Sequence, residues 1–263
     1  MTSGYSFDNA WSAAHARLRA LEARFDPGTI RHLQALGVSK GWRCLEIGAG
    51  AGSIAAWLCE QVDADGSVMA TDLDTRLIDD MAGGNLAVLR HDVVGEELPV
   101  AEFNLVHSRA LLSHLPDRDR VLGKMVAALR PGGWLLCEEL DSMTITLVAP
   151  EDPQARELYL RVETAIADTM ASRGHVYDYG RRLSARLAAA GLVELGAEGR
   201  MLLRWPGADA TVARLTAEQL KVEVLATGAL TQADFEAYAQ LLENPAFLAQ
   251  SALMIAAWGH RPG

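Results

Sequence analysis

The stretch LEIGAGAGS, residues 45–53, sets three glycines within five positions directly behind a carboxylate, Glu46. A glycine-rich turn after a short apolar run can cradle the pyrophosphate of a dinucleotide, the phosphates of ATP, or a nucleoside that carries no phosphate. The neighbouring residues choose among these. A P-loop needs GK[ST] after its second glycine, and no lysine follows here. A nicotinamide fingerprint needs GxGxxG, and position 53 is serine where a third glycine would permit close helix packing. The spacing is GxGxG instead, at Gly48, Gly50 and Gly52. Glu46 sits poorly beside a pyrophosphate and suits a ligand that brings an ammonium or sulfonium cation.

Two further carboxylates stand at strand ends. Asp72 closes the strand of SVMATDLD, where doubly wound geometry puts a ribose diol within reach of an acceptor. Asp92 closes the next one, in LRHDVV. Three such carboxylates describe a pocket for a cationic nucleoside. The balance of the 263 residues agrees, because a net charge of -10 repels nucleic acid and anionic membrane surfaces alike. Cys44, Cys59 and Cys137 are scattered through apolar runs without CxxC pairing, which points to a reduced compartment and core roles and away from a metal site. The start, MTSGYSFDNAW, has neither a basic region nor an apolar core segment, and no later run approaches membrane-spanning length. A cytoplasmic protein of one compact unit is the expectation.

The elements that must position these residues follow from periodicity and punctuation. A helix is expected from about 8 to 25, with Trp11, Leu18, Leu21 and Phe25 on one side. Asp26-Pro27 reads as the N-cap and first position of a second short helix that Gly37 ends. From 43 onward the elements alternate: strand 43–48, helix 52–60, strand 67–71, helix 75–81, strand 87–91, strand 103–107, helix 116–130 and strand 134–139. This alternation predicts a parallel sheet wrapped by helices, with Pro131-Gly132-Gly133 stopping the last helix. After 141 the alternation ends. Residues 152–173 read as a helix, 180–190 as a helix ended by Gly191, 192–203 as a strand, 209–243 as helical, and 252–261 as the closing strand.

In order and approximate spacing, LEIGAGAG, TDLD, RHDV, FNLVHSRALLSHLPDR and LRPGGWLLCEE resemble the class I S-adenosylmethionine-dependent methyltransferases, and their small-molecule branch in particular, over about 43–141. The resemblance implies an α/β, doubly wound, seven-stranded and mostly parallel sheet in the order 3-2-1-4-5-7-6, its last strand antiparallel. A single domain would hold N-terminal helices over 1–40, a donor-binding core over 41–141, and helical lid insertions at 141–180 and 209–243. It implies S-adenosylmethionine as cofactor and S-adenosylhomocysteine as its product. Carried over position by position, Glu46, Gly48, Ala49, Gly50 and Gly52 border the methionine part. Asp72, with Leu73 beside it, binds the ribose hydroxyls, and Asp92 and Val93 flank the adenine. The backbone at His107-Ser108 faces the donor's amino group. Asn104 departs from the family's frequent aspartate, at a strand start away from the site.

Methyl transfer from a sulfonium is an in-line displacement, so the protein contributes mainly positioning and water exclusion. A phenol or alcohol acceptor also needs a proton removed. His175, in RGHVYDYG beside Tyr177 and Tyr179, is the leading candidate for that base, against the plain alternative of an exposed loop histidine. His114, in LLSHLPDR, is the second candidate, with packing as its alternative. Glu138, Glu139 and Asp141 end a strand where substrates enter, facing the acceptor or merely solvent. HSRA stands where the superfamily's DNA and exocyclic-amine enzymes carry an NPPY-type segment, so the expected acceptor is a small metabolite methylated at oxygen. A fold relative that binds the cofactor without transferring methyl, or catalyses another reaction, is the alternative. The second insertion adds a wall over the pocket or a homodimer contact.

Overall fold

The computed structural model describes residues 7–263. The first six residues of the amino-terminal stretch, and so of the 1–40 region, lie outside the described residues. In chain order the elements are α1 (Ala14–Ala35), β1 (Arg43–Ile47), α2 (Ser53–Val62), β2 (Ser67–Asp72), β3 (Leu86–Arg90), β4 (Phe103–Arg109), α3 (Arg118–Ala128) and β5 (Leu129–Asp141). There follow β6 (Thr146–Ala149), α4 (Pro153–Ala171), α5 (Leu183–Ala189), β7 (Val193–Arg204), α6 (Thr211–Ala226), α7 (Gln232–Glu243) and β8 (Leu248–His260).

The strands form one sheet in the order β3-β2-β1-β4-β5-β8, with β7 on the far side of β8. β1 to β5 run parallel, and β8 is antiparallel to both β5 and β7. This is the expected order, to which the structure adds β6, a short strand paired with the start of β8. One face of the sheet packs Leu45, Ile47, Val106 and Leu135 against Val121 and Met125 of α3 and Leu183 of α5. The other packs Cys44, Val68, Leu105 and Leu136 against Leu33 of α1 and Ile54 and Leu58 of α2. A third cluster gathers Tyr159 and Val162 of α4, Leu220 and Val224 of α6, and Phe235 and Tyr238 of α7 into a separate helical layer.

Four boundaries differ from the sequence reading. The break expected at Asp26-Pro27 does not occur, and α1 runs on through Pro27. A proline inside a helix costs about 3 kcal/mol through its missing N–H and its crowding of the preceding turn. Burial of Phe25, Thr29 and Leu33 against the sheet offsets this, and Arg109 on β4 holds Asp26 at 2.8 Å. At the other end α1 starts late, because Asp8 accepts the N–H of Ala10 at 2.8 Å and 9–13 run in turns. The helix expected at 75–81 shrinks to a single 3-10 turn, Asp79–Met81, since Gly83-Gly84 end the segment before propagation can offset nucleation. Pro131-Gly132-Gly133 does not separate α3 from a later strand but lies within β5, where Gly132 N–H donates to Arg261 O at 2.9 Å.

Candidate functional site

The glycine loop leaves β1 at Gly48 and is sewn to the end of β2. The Gly48 and Ala49 N–H groups donate to Thr71 O at 2.8 and 3.0 Å, and Gly50 N–H donates to Asp72 Oδ2 at 3.0 Å. Asp72 Oδ1 accepts from Asp74 N–H at 3.0 Å. Burial raises the Asp72 carboxyl above its ordinary value, against those backbone donors. Gly50 has φ of 60°, and a methyl there would meet nothing closer than Leu18 Cδ2 at 3.6 Å. Gly52 is more demanding: at φ of 88° its methyl would lie 2.6 Å from Met81 Sδ and 2.9 Å from Ile78. Leu73 is 38% exposed beside Asp72. Asp92, also exposed, closes a turn by accepting Val94 N–H at 3.0 Å, and Val93 is buried beneath it.

One residue here escaped the sequence reading. Glu22 Oε1 accepts Ser53 N–H at 3.1 Å, so α1 caps the amino end of α2. The available signal was an acid on the Leu18–Phe25 stripe of an amphipathic helix, a position that ordinarily takes an apolar side chain.

A buried chain of polar groups crosses the sheet beneath the loop. The β1–β4 register sets Glu46 beside His107, and Glu46 Oε2 lies 2.6 Å from His107 Nδ1. His107 Nε2 lies 3.5 Å from Glu138 Oε2 on β5. Glu138 also accepts from Thr29 Oγ1, which in turn accepts from Arg109 Nη1 at 2.8 Å. Burial alone would drive the His107 proton off, but Glu46 and Glu138 outweigh it and lift the group to about 9. Glu138 is likewise pulled below its ordinary value, the His107, Arg109 and Thr29 donors outweighing burial. Ser108 points the other way, its Oγ toward Cys137 Sγ at 3.7 Å, so only its backbone can face the loop side.

His114 and His175, the two candidate bases, meet. Their ring centroids are 4.4 Å apart, with Phe7 edge-on to His114 at 6.0 Å and Tyr177 stacked on His175 at 6.4 Å. Burial drives His114 well below its ordinary value, helped by His175 and Arg17. Burial, with Arg118 nearby, lowers His175 to about 4. Among the described residues His175 Nδ1 has no hydrogen-bond partner although it is buried. His114 sits on a 3-10 turn, Leu112–His114, whose leading N–H groups converge on Glu139, at 3.0 Å from Leu111 and 2.6 Å from Leu112. Burial pushes Glu139 up to about 7. Leu111 also touches the loop, since a methyl on Gly48 would lie 3.2 Å from its Cδ1.

Neither remaining carboxylate at the β5 end is a bare, solvated strand end. Glu138 is buried in the His107 chain, and Asp141 accepts from Arg181 at 2.6 and 3.0 Å. Tyr179 is no pocket residue but part of the core between α3 and α5. An open cleft of about 780 Å³ between Cys59, Asp63 and Asn85 lies at the opposite ends of β2 and β3 and gathers none of these residues. Among the described residues no three His, Cys, Asp or Glu side chains are grouped to hold a metal ion, and no helix is long and apolar enough to cross a membrane.

The model of a family described as a methyltransferase domain matches residues 9–228. Methyltransferase str2 of Strobilurus tenacellus is 31% identical over 134 residues, which are 48% of this chain and 46% of that protein. The chain thus spans less than half the length of the curated relatives it matches. Among solved structures, phosphoethanolamine N-methyltransferase 2 of Haemonchus contortus, in complex with S-adenosylhomocysteine, aligns with 100% of this chain and 61% of its own at a TM-score of 0.62 and 14% identity. The YcgJ protein of Bacillus subtilis covers 88% of this chain and 97% of its own at a TM-score of 0.58 and 16% identity. At these identities the likeness concerns the fold.

Proposed function

Because the chain belongs to the class I S-adenosylmethionine-dependent methyltransferases, its family match covering residues 9–228, we propose that it moves a methyl group from S-adenosylmethionine to a hydroxyl oxygen of a small secondary metabolite. The loop fits the donor: Gly50 leaves its backbone uncrowded, Gly52 lets the loop close against Met81 and Ile78, and Asp72 retains lone pairs beyond its bonds to Gly50 and Asp74. In this reading Asp72, with Leu73 beside it, accepts from the ribose hydroxyls, while Asp92 and Val93 border the base. Glu46, Gly48, Ala49, Gly50, Gly52 and the Ser108 backbone border the methionine part. When bound, the donor supplies an electrophilic methyl on a sulfonium.

The oxygen acceptor rests on one observation, the neutral pair His114–His175, whose His114 shares a turn with Leu111, the residue that touches the loop at Gly48. A histidine lowered to about 4 by burial carries no proton at neutral pH, and its buried Nδ1, without a hydrogen-bond partner among the described residues, takes one from a hydroxyl once the entering acceptor opens a path to it. So weak a base suits an acidic hydroxyl, a phenol or enol, better than an aliphatic alcohol. The helical layer of α4, α6 and α7, falling in the two segments that break the βα alternation, is assigned the choice of acceptor within a single domain.

The test is mass spectrometry for a +14 product, with the donor and paired phenolic and aliphatic acceptors. His175→Ala should lower turnover about a hundredfold at unchanged donor affinity, and recover as the pH is raised and the acceptor ionises by itself. In the wild type, kcat/KM should fall through about pH 4, where His175 gains its proton, and not near its ordinary 6.5. Full turnover of His175→Ala at all pH values removes His175 from the site.

A further inference from the structure

The Glu46 carboxylate is not left to find its own direction. Its Oε2 is taken by His107 Nδ1 at 2.6 Å, while Oε1 accepts nothing from any other described residue. The opposite ring nitrogen of His107 faces Glu138, and Glu138 is itself fixed by Thr29. Arg109 completes the frame by donating at 2.8 Å to both Thr29 and Asp26. The imidazole ring is thus clamped from both sides, with β1, β4, β5 and α1 each holding one part. Glu46 lies two positions ahead of Gly48, at the root of the glycine loop.

We propose that His107 is a positioning residue that fixes one oxygen of Glu46 so that the other faces the ammonium end of the donor's methionine part; this rests on the donor site assigned above. The frame sets Glu46, Glu138 and Asp26 around His107 and Arg109, and of the three carboxylates Glu46 is the one at the root of the glycine loop. A strut that only stapled β1 to β5 would have no reason to leave Glu46 Oε1 open.

Titration calorimetry with two probes separates these roles. S-adenosylhomocysteine carries the ammonium group, whereas 5′-methylthioadenosine keeps the adenine, ribose and sulfur but lacks the amino acid portion. His107→Asn should weaken S-adenosylhomocysteine about tenfold or more and leave 5′-methylthioadenosine within about twofold. Glu46→Gln should give the same selective loss, and the double variant should be no worse than Glu46→Gln alone, because His107 acts through Glu46. If His107→Asn fails to fold, Glu138→Gln frees the far side of the ring and should show the same selectivity to a smaller degree. Equal losses for both probes, no loss for either, or additive losses in the double variant overturn the positioning role. A wild-type chain that binds neither probe overturns the donor site itself, and Glu46→Gln without effect overturns the assignment of Glu46 to the ammonium.

Discussion

The sheet-borne cluster of Glu46, His107 and Glu138 and the cluster of Arg204, Glu163, Tyr159 and Tyr238 in the helical layer both hold charge away from water, yet they are built from groups of different kinds. In the second, Arg204 donates to Tyr159 at 2.5 Å and to Glu163 at 2.8 Å, and Tyr238 donates to the same Glu163 oxygen at 2.7 Å. It ties β7 to α4 and α7. Burial would lower Arg204, but Glu163, Tyr159 and Tyr238 outweigh it and hold it above its ordinary value. Burial raises both tyrosines. None of those three groups changes charge near neutrality, so the cluster acts as a fixed staple. The sheet cluster has a histidine at its centre, whose charge depends on its neighbours and can be removed within an accessible pH range. A fixed cation suits a joint between elements, and a tunable one suits a place where charge confronts a ligand.

The largest expected effect falls on the staple. Arg204→Met leaves Glu163 without its cation inside the helical layer and should cost about 3–5 kcal/mol in denaturant unfolding. The affinity of the folded fraction for S-adenosylhomocysteine should not change. A loss below about 1 kcal/mol would place this pair with surface salt bridges and erase the contrast.

Next comes pH. His107 is raised from 6.5 to about 9 in the folded chain, so its contribution is fully present below 6.5 and is lost as the pH rises through about 9. The size is on the order of 3 kcal/mol, measurable by unfolding at about pH 6 and about pH 10. His107→Gln should flatten that slope, whereas Arg204→Met should keep it. An unchanged slope in His107→Gln would show that the ring does not hold an extra proton.

The smallest effects sharpen the donor side. Gly50→Ala meets a left-handed backbone and only an ordinary contact with Leu18, and should cost about 1 kcal/mol of stability. Gly52→Ala adds a close approach to Met81 and Ile78 and should cost roughly 1–3 kcal/mol. Both should weaken the donor in calorimetry, which the Arg204 variant should not. Equal stability for the two alanine variants would mean that Met81 yields freely.

The strands, the glycine loop and the strand-end carboxylates were legible because each is written within a few residues. Apolar alternation, the GxGxG spacing and the acid at a strand end need no knowledge of distant neighbours. The passage of α1 through Pro27 was not legible, since the local penalty is visible in the sequence and the compensating contacts of Asp26 and Thr29 with β4 and β5 are not. The 75–81 pattern promised a helix for a different reason: the apolar spacing outweighed the two adjacent glycines, which cut it short.

His114 and His175 could each be picked out as a histidine worth testing, but their contact at 4.4 Å exists only once the chain after β5 folds back over the turn after β4. The place of Glu46 before the loop was legible, and with it the proposal of a cationic ligand. That a histidine on β4 holds it depends on the register in which Glu46 falls opposite His107. By itself the sequence determined the period of each element, the loop and the position of each acid along its strand, because backbone geometry and local punctuation act over a few residues. Tertiary structure alone decided which side chains share a face, which are buried and what charge they keep, because desolvation and pairing are set by groups that strand register and helix packing bring from far along the chain.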